Sequence, residues 1–199
     1  MKQLVGDDGE LRALIFARTA PLSLPTCRHL SELYAQLPSR SVTRDLIEIY
    51  FSEANWYFAL LEKYYFEKLY NAWCTFYDHG MANGKFEGLS NDLLHFPALL
   101  LQVLAVALQF AHPTMPCVQA LEVDGFIRRD RRSSDFSTRG MEIIRVAGRD
   151  DFAIITVQND LMRALWLKNS SRGREAWQVL GSAIRSVLLG IRARMFLTI

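Results

Sequence analysis

Cysteine is scarce in this 199-residue sequence: Cys27, Cys74 and Cys117 are odd in number and more than forty residues apart. Such spacing excludes a zinc knuckle and a closed disulfide framework, and it fits a reducing compartment. A dominant charge is missing too. Lys and Arg number 23 against 21 Asp and Glu, so a formal net charge of +2 selects neither nucleic acid nor a membrane surface. The amino terminus has no continuous apolar leader, because Asp7, Asp8 and Glu10 fall within it, and no secretory signal is expected. No alternating apolar and polar run is long enough for a strand, which predicts an all-α chain built as an array of antiparallel helical hairpins.

Chemical motifs are equally incomplete. Gly80-Met81-Ala82-Asn83-Gly84-Lys85 has three residues between its glycines where a phosphate loop needs four, and Phe86 replaces the metal-binding hydroxyl, so a solvated loop is expected. His29, His79, His95 and His112 put no two imidazoles on one helical face, and Cys27 beside His29 is not a four-ligand shell. Gly181-Ser182-Ala183 lacks the next glycine of a nucleophile elbow, so Ser182 reads as a packing residue. These patterns predict no catalytic residue, no metal and no cofactor, and the chain is not expected to be an enzyme.

What is present is a helical core. Hydrophobic residues make up 50% of the chain and charged ones 22%, the balance of a single globular domain. Leu37-Pro38-Ser39-Arg40 breaks the chain, and Ser41 is expected to cap a helix carrying Val42, Leu46, Ile49 and Tyr50. A second helical run covers Trp56 to Phe76, followed by a loop from Asp78 to Asn91. The longest apolar stretch, Phe96 to Ala111, reads as a buried helix with Pro97 in its first turn and with Gln102 and Gln109 on one face. It falls short of the roughly 20 residues of a bilayer span, so no membrane is expected.

Further helices are expected over Cys117 to Ile127, Ser134 to Val146, and Phe152 to Leu167 with Asp150 or Asp151 as cap; a last one starts near Arg174. Gly148 stands where a carboxy-terminal glycine cap belongs. The only basic cluster, Arg128, Arg129, Arg131 and Arg132, reads as a solvated turn. Twelve of the 23 aromatic residues lie between Tyr50 and Tyr77, including Trp56, Tyr57, Phe58, Tyr64, Tyr65, Phe66, Tyr70 and Trp73. They are expected to form core, with a pocket for an apolar ligand as the alternative.

Three segments taken together carry a resemblance. The first is Leu37-Pro38 with Asp45-Leu46-Ile47-Glu48-Ile49-Tyr50-Phe51 and Asn55; the second is Phe96-Pro97-Ala98-Leu99-Leu100-Leu101 through Leu104-Ala105-Val106-Ala107-Leu108. The third joins Ile155-Thr156-Val157-Gln158, Leu161 and Leu165 to Arg174-Glu175-Ala176-Trp177 and Gly181-Ser182-Ala183-Ile184-Arg185 through Leu189-Gly190. In order and spacing they resemble the fungal-specific transcription factor domain, the middle homology region of fungal binuclear zinc-cluster transcription factors.

The resemblance implies a nuclear regulator of transcription for a fungal metabolic pathway, such as a secondary-metabolite gene cluster. Its implied partners are other transcription proteins or a homodimer partner, with an apolar small-molecule effector. The alternative is a helical small-molecule-binding protein or enzyme of the same pathway. The division expected is 1–36 as a helical extension, 37–190 as the regulatory-like domain and 191–199 as a short tail. The six-cysteine zinc cluster of that family is missing, so sequence-specific DNA binding by this chain alone is not expected, and the chain reads as shortened at both ends. Gly181 and Ala183 are expected to let two helices approach, Trp177 to fill the space between them, and Gln158 and Arg185 to satisfy backbone groups at helix crossings. Val187, Leu188 and Ile191 are expected to leave an uncovered apolar face, favouring dimers or aggregates.

Overall fold

A computed structural model describes residues 22–80, 86, 89–121, 125–149 and 153–196, and all regular structure among them is helical. Helix α1 (Leu24–Tyr34) starts at Ser23, whose hydroxyl accepts from the Thr26 N–H, with Pro25 in the first turn where its missing N–H costs nothing. It buries Leu30, Leu33 and Tyr34 in the common core. Helix α2 (Arg40–Ile49) starts with Ser39 in the N-cap position, two residues before the cap expected at Ser41; the Ser39 hydroxyl makes no capping bond to the backbone and lies 3.2 Å from that of Ser41. Val42, Leu46, Ile49 and Tyr50 are buried as the spacing predicts, and Ile47 joins them.

The aromatic run is not one helix. A π-helical turn (Tyr50–Ala54) leads into the short α3 (Asn55–Phe58), and Ala59 then turns left-handed at φ 46° before α4 (Lys63–Gly80). Asn55 makes this break. Its Oδ1 accepts from the Tyr50 hydroxyl and the Leu61 N–H, while its Nδ2 donates to the Leu61 carbonyl at 2.8 Å. One side chain thereby satisfies backbone groups that a continuous helix would have paired internally. The glycine-rich segment 81–85 predicted as a solvated loop lies outside the described residues.

Helix α5 (Asn91–Phe110) is the axis of the fold, and every side chain from Leu93 to Leu108 is buried. It begins five residues before the expected start because the Ser90 hydroxyl accepts from the Leu93 N–H. Pro97 therefore lies inside the helix, and close to that interruption of the ladder the Tyr34 hydroxyl donates to the Leu94 carbonyl at 2.8 Å. With 20 residues the helix is long and apolar enough to cross a membrane, which corrects the length argument made from the sequence; in this fold 89% of its most apolar window is buried against other helices.

Helix α6 (Pro116–Gln119) is shorter than expected, and Ile127 belongs instead to α7 (Gly125–Ala147). The arginine cluster is thus helical and not a turn. Arg129 donates to the Ala111 carbonyl and Arg132 to the Leu121 carbonyl, so two of the four arginines close the ends of preceding elements. Gly148 ends α7 at φ 84°, as its position predicted. Asp150, Asp151 and Phe152 lie outside the described residues; α8 (Ile154–Asn169) follows Ala153.

Helix α8 ends in a Schellman arrangement, in which the Arg172 N–H reaches the Leu167 carbonyl and the Ser171 N–H that of Lys168, with Ser171 at φ 60°. Helix α9 (Gly173–Phe196) packs along α8, and it runs through much of the segment expected to be a tail. Among the described residues the most extensive helix–helix packing joins α5 to α7. There α7 presents Ser133, Ser137 and Gly140, one helical face of small residues, to α5.

Candidate functional site

A polar seam threads the α5–α7–α8 core. Gln102, fully buried, donates to the Ser137 carbonyl at 3.0 Å and accepts from the Ser137 hydroxyl at 2.9 Å. Arg163 of α8 donates to the same hydroxyl and carbonyl, and its guanidinium is held below the usual arginine range chiefly by burial. One turn away the Trp166 indole donates to the Ser133 hydroxyl, which donates to the Ala105 carbonyl at 2.6 Å. Each group here finds a partner, so the seam fixes the register of three helices without offering a reactive atom.

The seam opens at one end into a polar cleft of about 470 Å³, reached by Gln109, Arg129, Asn169, Ser170 and Arg172. Gln109 binds the Trp166 carbonyl and the Ser170 hydroxyl through Nε2 and accepts from Asn169 through Oε1. Arg172 lies over the Trp166 ring at 5.7 Å and holds Glu175 with two hydrogen bonds. Arg129 is mostly buried and bound to Ala111. The positive groups of the cleft are therefore engaged with the protein's own carbonyls and carboxylates. Gln102 and Gln109 share the face expected of them, which meets α7 at Gln102 and the end of α8 at Gln109.

The aromatic residues divide among three places. Phe66, Tyr70 and Trp73 are buried core, and burial pushes the Tyr70 hydroxyl up to about 12. Trp56, Tyr57, Tyr64 and Tyr65 are exposed, correcting the expectation that they pack inside. Phe58 lines an apolar groove of about 380 Å³ between the α3–α4 turn, α8 and α9. Leu60, Leu161, Leu165, Trp177 and Leu180 line it with Phe58. Periodicity had no means of separating these fates, because the left-handed Ala59 and the π-helical turn reset the helical phase on either side of Phe58.

Several assigned roles change in the structure. Trp177 does not fill an interhelical space; it is 74% exposed at the groove. Gly181 is not a close approach, since a Cβ there would meet only the Arg185 guanidinium at 3.5 Å, and Arg185 itself is exposed. The close approach lies at Gly140, where a Cβ would stand 2.8 Å from Gln102 Nε2 and 2.9 Å from the Ala98 carbonyl oxygen. An isolated glycine within the Ser134 to Val146 helical pattern was the signal for it. Ala183 is buried as expected, Ser182 is half-buried, and Gln158 is half-buried beside Tyr65 and Ile154.

The described histidines are spread through the molecule. His95 is buried with Nδ1 2.7 Å from the Asn91 carbonyl and Nε2 2.7 Å from that of Gly148, tying the start of α5 to the end of α7. His29 approaches Glu142, and His112 binds the Thr114 hydroxyl. Cys27, Cys74 and Cys117 are free thiols, and burial raises those of Cys74 and Cys117 above the ordinary cysteine range. Near the end of α7, Arg149 donates to Asp160 at 2.8 Å and to the Ser186 hydroxyl at 3.0 Å, joining three elements through a buried carboxylate. In comparisons with known proteins the chain matches no family model, no curated protein and no solved structure.

Proposed function

We propose that this chain is a regulatory module that controls transcription in a fungal metabolic pathway, such as a secondary-metabolite gene cluster, acting in the nucleus by binding other proteins and not by catalysing a step. The observation that carries this reading is an apolar face on α9: Ile184, Val187 and Leu188 are all exposed on one helix. Helical faces of that kind are partner surfaces in many assemblies. The residue resemblance over 37–190 supplies the link to transcription. Base-specific DNA readout by this chain alone is not part of the reading, since it calls for side chains delivered to groove edges, and Arg129 and Arg132 are engaged with backbone carbonyls.

Deleting the gene tests the reading. Transcript levels of the pathway genes are expected to change, and a chain carrying Ile184→Glu and Leu188→Glu is expected to fail to restore them while keeping its helical content. Unchanged transcripts, together with turnover of a pathway intermediate by the purified protein, would overturn it.

A further inference from the structure

The groove beside Phe58 is apolar apart from one side chain. Lys168 is its single charged lining residue, with Nζ 5.4 Å from the centroid of the Phe58 ring. No carboxylate among the described residues forms an ion pair with it. A lysine over an aromatic face is held by the ring quadrupole and keeps its remaining N–H donors available. The α8 wall runs from Leu161 to Lys168, roughly 10 Å at the rise of an α-helix, the length of a medium-chain acyl group. Its volume of about 380 Å³ falls within the range of small-ligand sites. At Gly173, which also lines it, a Cβ would meet nothing within 4 Å, so this end of the groove is open space.

We propose that this groove binds a small amphipathic organic anion, an aliphatic or aromatic carboxylate. Its apolar body lies against Phe58, Leu165, Trp177 and Leu180, and its carboxylate pairs with Lys168. Burial of apolar surface supplies the affinity, and the lone cation sets which end enters. Charge complementarity favours this occupant over a second copy of the chain, whose corresponding groove would present a like-charged lysine. The inference stands on the groove alone and leaves the transcriptional reading untouched if it fails.

The test is calorimetric titration of the purified full chain with decanoate, 1-decanol and decyltrimethylammonium. Decanoate is expected to bind one per chain, about three- to fivefold more tightly than decanol, as a partly exposed ion pair allows, and the cationic amphiphile more weakly than either. Lys168→Gln is expected to bring decanoate down to the affinity of decanol while leaving decanol unchanged. Gly173→Leu places a side chain in open space, so helical content by circular dichroism is expected to persist while both ligands are lost. Equal binding of decanoate and decanol, no decanoate binding at millimolar concentration, or full binding to Gly173→Leu would overturn the proposal. One ligand per two chains, with a dimer by sedimentation, would assign the groove to a second copy and overturn it as well.

Discussion

Replacing Gly140 with alanine adds one methyl group where α7 closely crosses α5, and three effects compete. Alanine is the better helix former, favouring the variant by about 1 kcal/mol. Against that, the new Cβ would stand 2.9 Å from the Ala98 carbonyl oxygen, a backbone atom that cannot swing aside, and 2.8 Å from Gln102 Nε2. Forcing α5 and α7 apart costs about 1–3 kcal/mol as overpacking. Displacing the Gln102 amide from Ser137 exposes a fully buried polar pair to loss of its hydrogen bonds, a further cost of about 1–3 kcal/mol.

The penalties win, and the expected net loss is about 3 kcal/mol, a Tm lowering of about 6–12 °C for a chain of this size. Thermal unfolding by circular dichroism, with urea titration to separate stability from compactness, measures it. Gly181→Ala is the control, because its Cβ meets only the end of the flexible Arg185 side chain at 3.5 Å. There the propensity gain stands alone, up to about 1 kcal/mol. A Gly140→Ala protein as stable as the parent would refute the close crossing, and Gly181→Ala losing as much would return that role to α9.

Ser171 holds a left-handed conformation at the end of α8, so Ser171→Gly is expected to stabilise the protein by up to about 1 kcal/mol in urea titration; a loss would show that its side chain contributes more than the strain removes. Arg149→Ala leaves Asp160 buried without its cation and is expected to cost about 3–5 kcal/mol; a change under 1 kcal/mol would mean the pair is solvated. Burial raises the Cys117 thiol, so the thiolate fraction is low below that raised value. Labelling by a disulfide reagent at neutral pH is expected to be far slower in the native protein than in urea, and equal rates would contradict the burial.

Much of the helical architecture was legible in residue order. The unbroken apolar run around Leu99 and Leu104 allows only a helix buried on all sides, and α5 is that helix. The spacing of Val42, Leu46 and Ile49 defines a one-sided face, and Gly148 supplies the left-handed stop that α7 requires. Gln102 and Gln109, seven residues apart, share a face in any helix, and polar groups there need partners wherever that face is covered.

Elsewhere the deciding contacts are remote in sequence. The Arg128 to Arg132 segment has the composition of a solvated turn, yet it is helical where Arg129 meets the Ala111 carbonyl and Arg132 that of Leu121. The aromatic run looks continuous until Asn55 pairs with Leu61 and Ala59 turns left-handed, which sends Phe58 to the groove and leaves Trp56 and Tyr57 in solvent. Whether a small residue marks a close crossing depends on what faces it: α5 lies against Gly140, while only the flexible end of Arg185 lies beside Gly181. Local pattern determined the all-helical character and the apolar faces of helices such as α2 and α5, because backbone periodicity is a property of neighbouring residues. Which apolar faces are covered, and where a groove with a single lysine remains, was decided by tertiary packing, because burial depends on residues far apart in the chain.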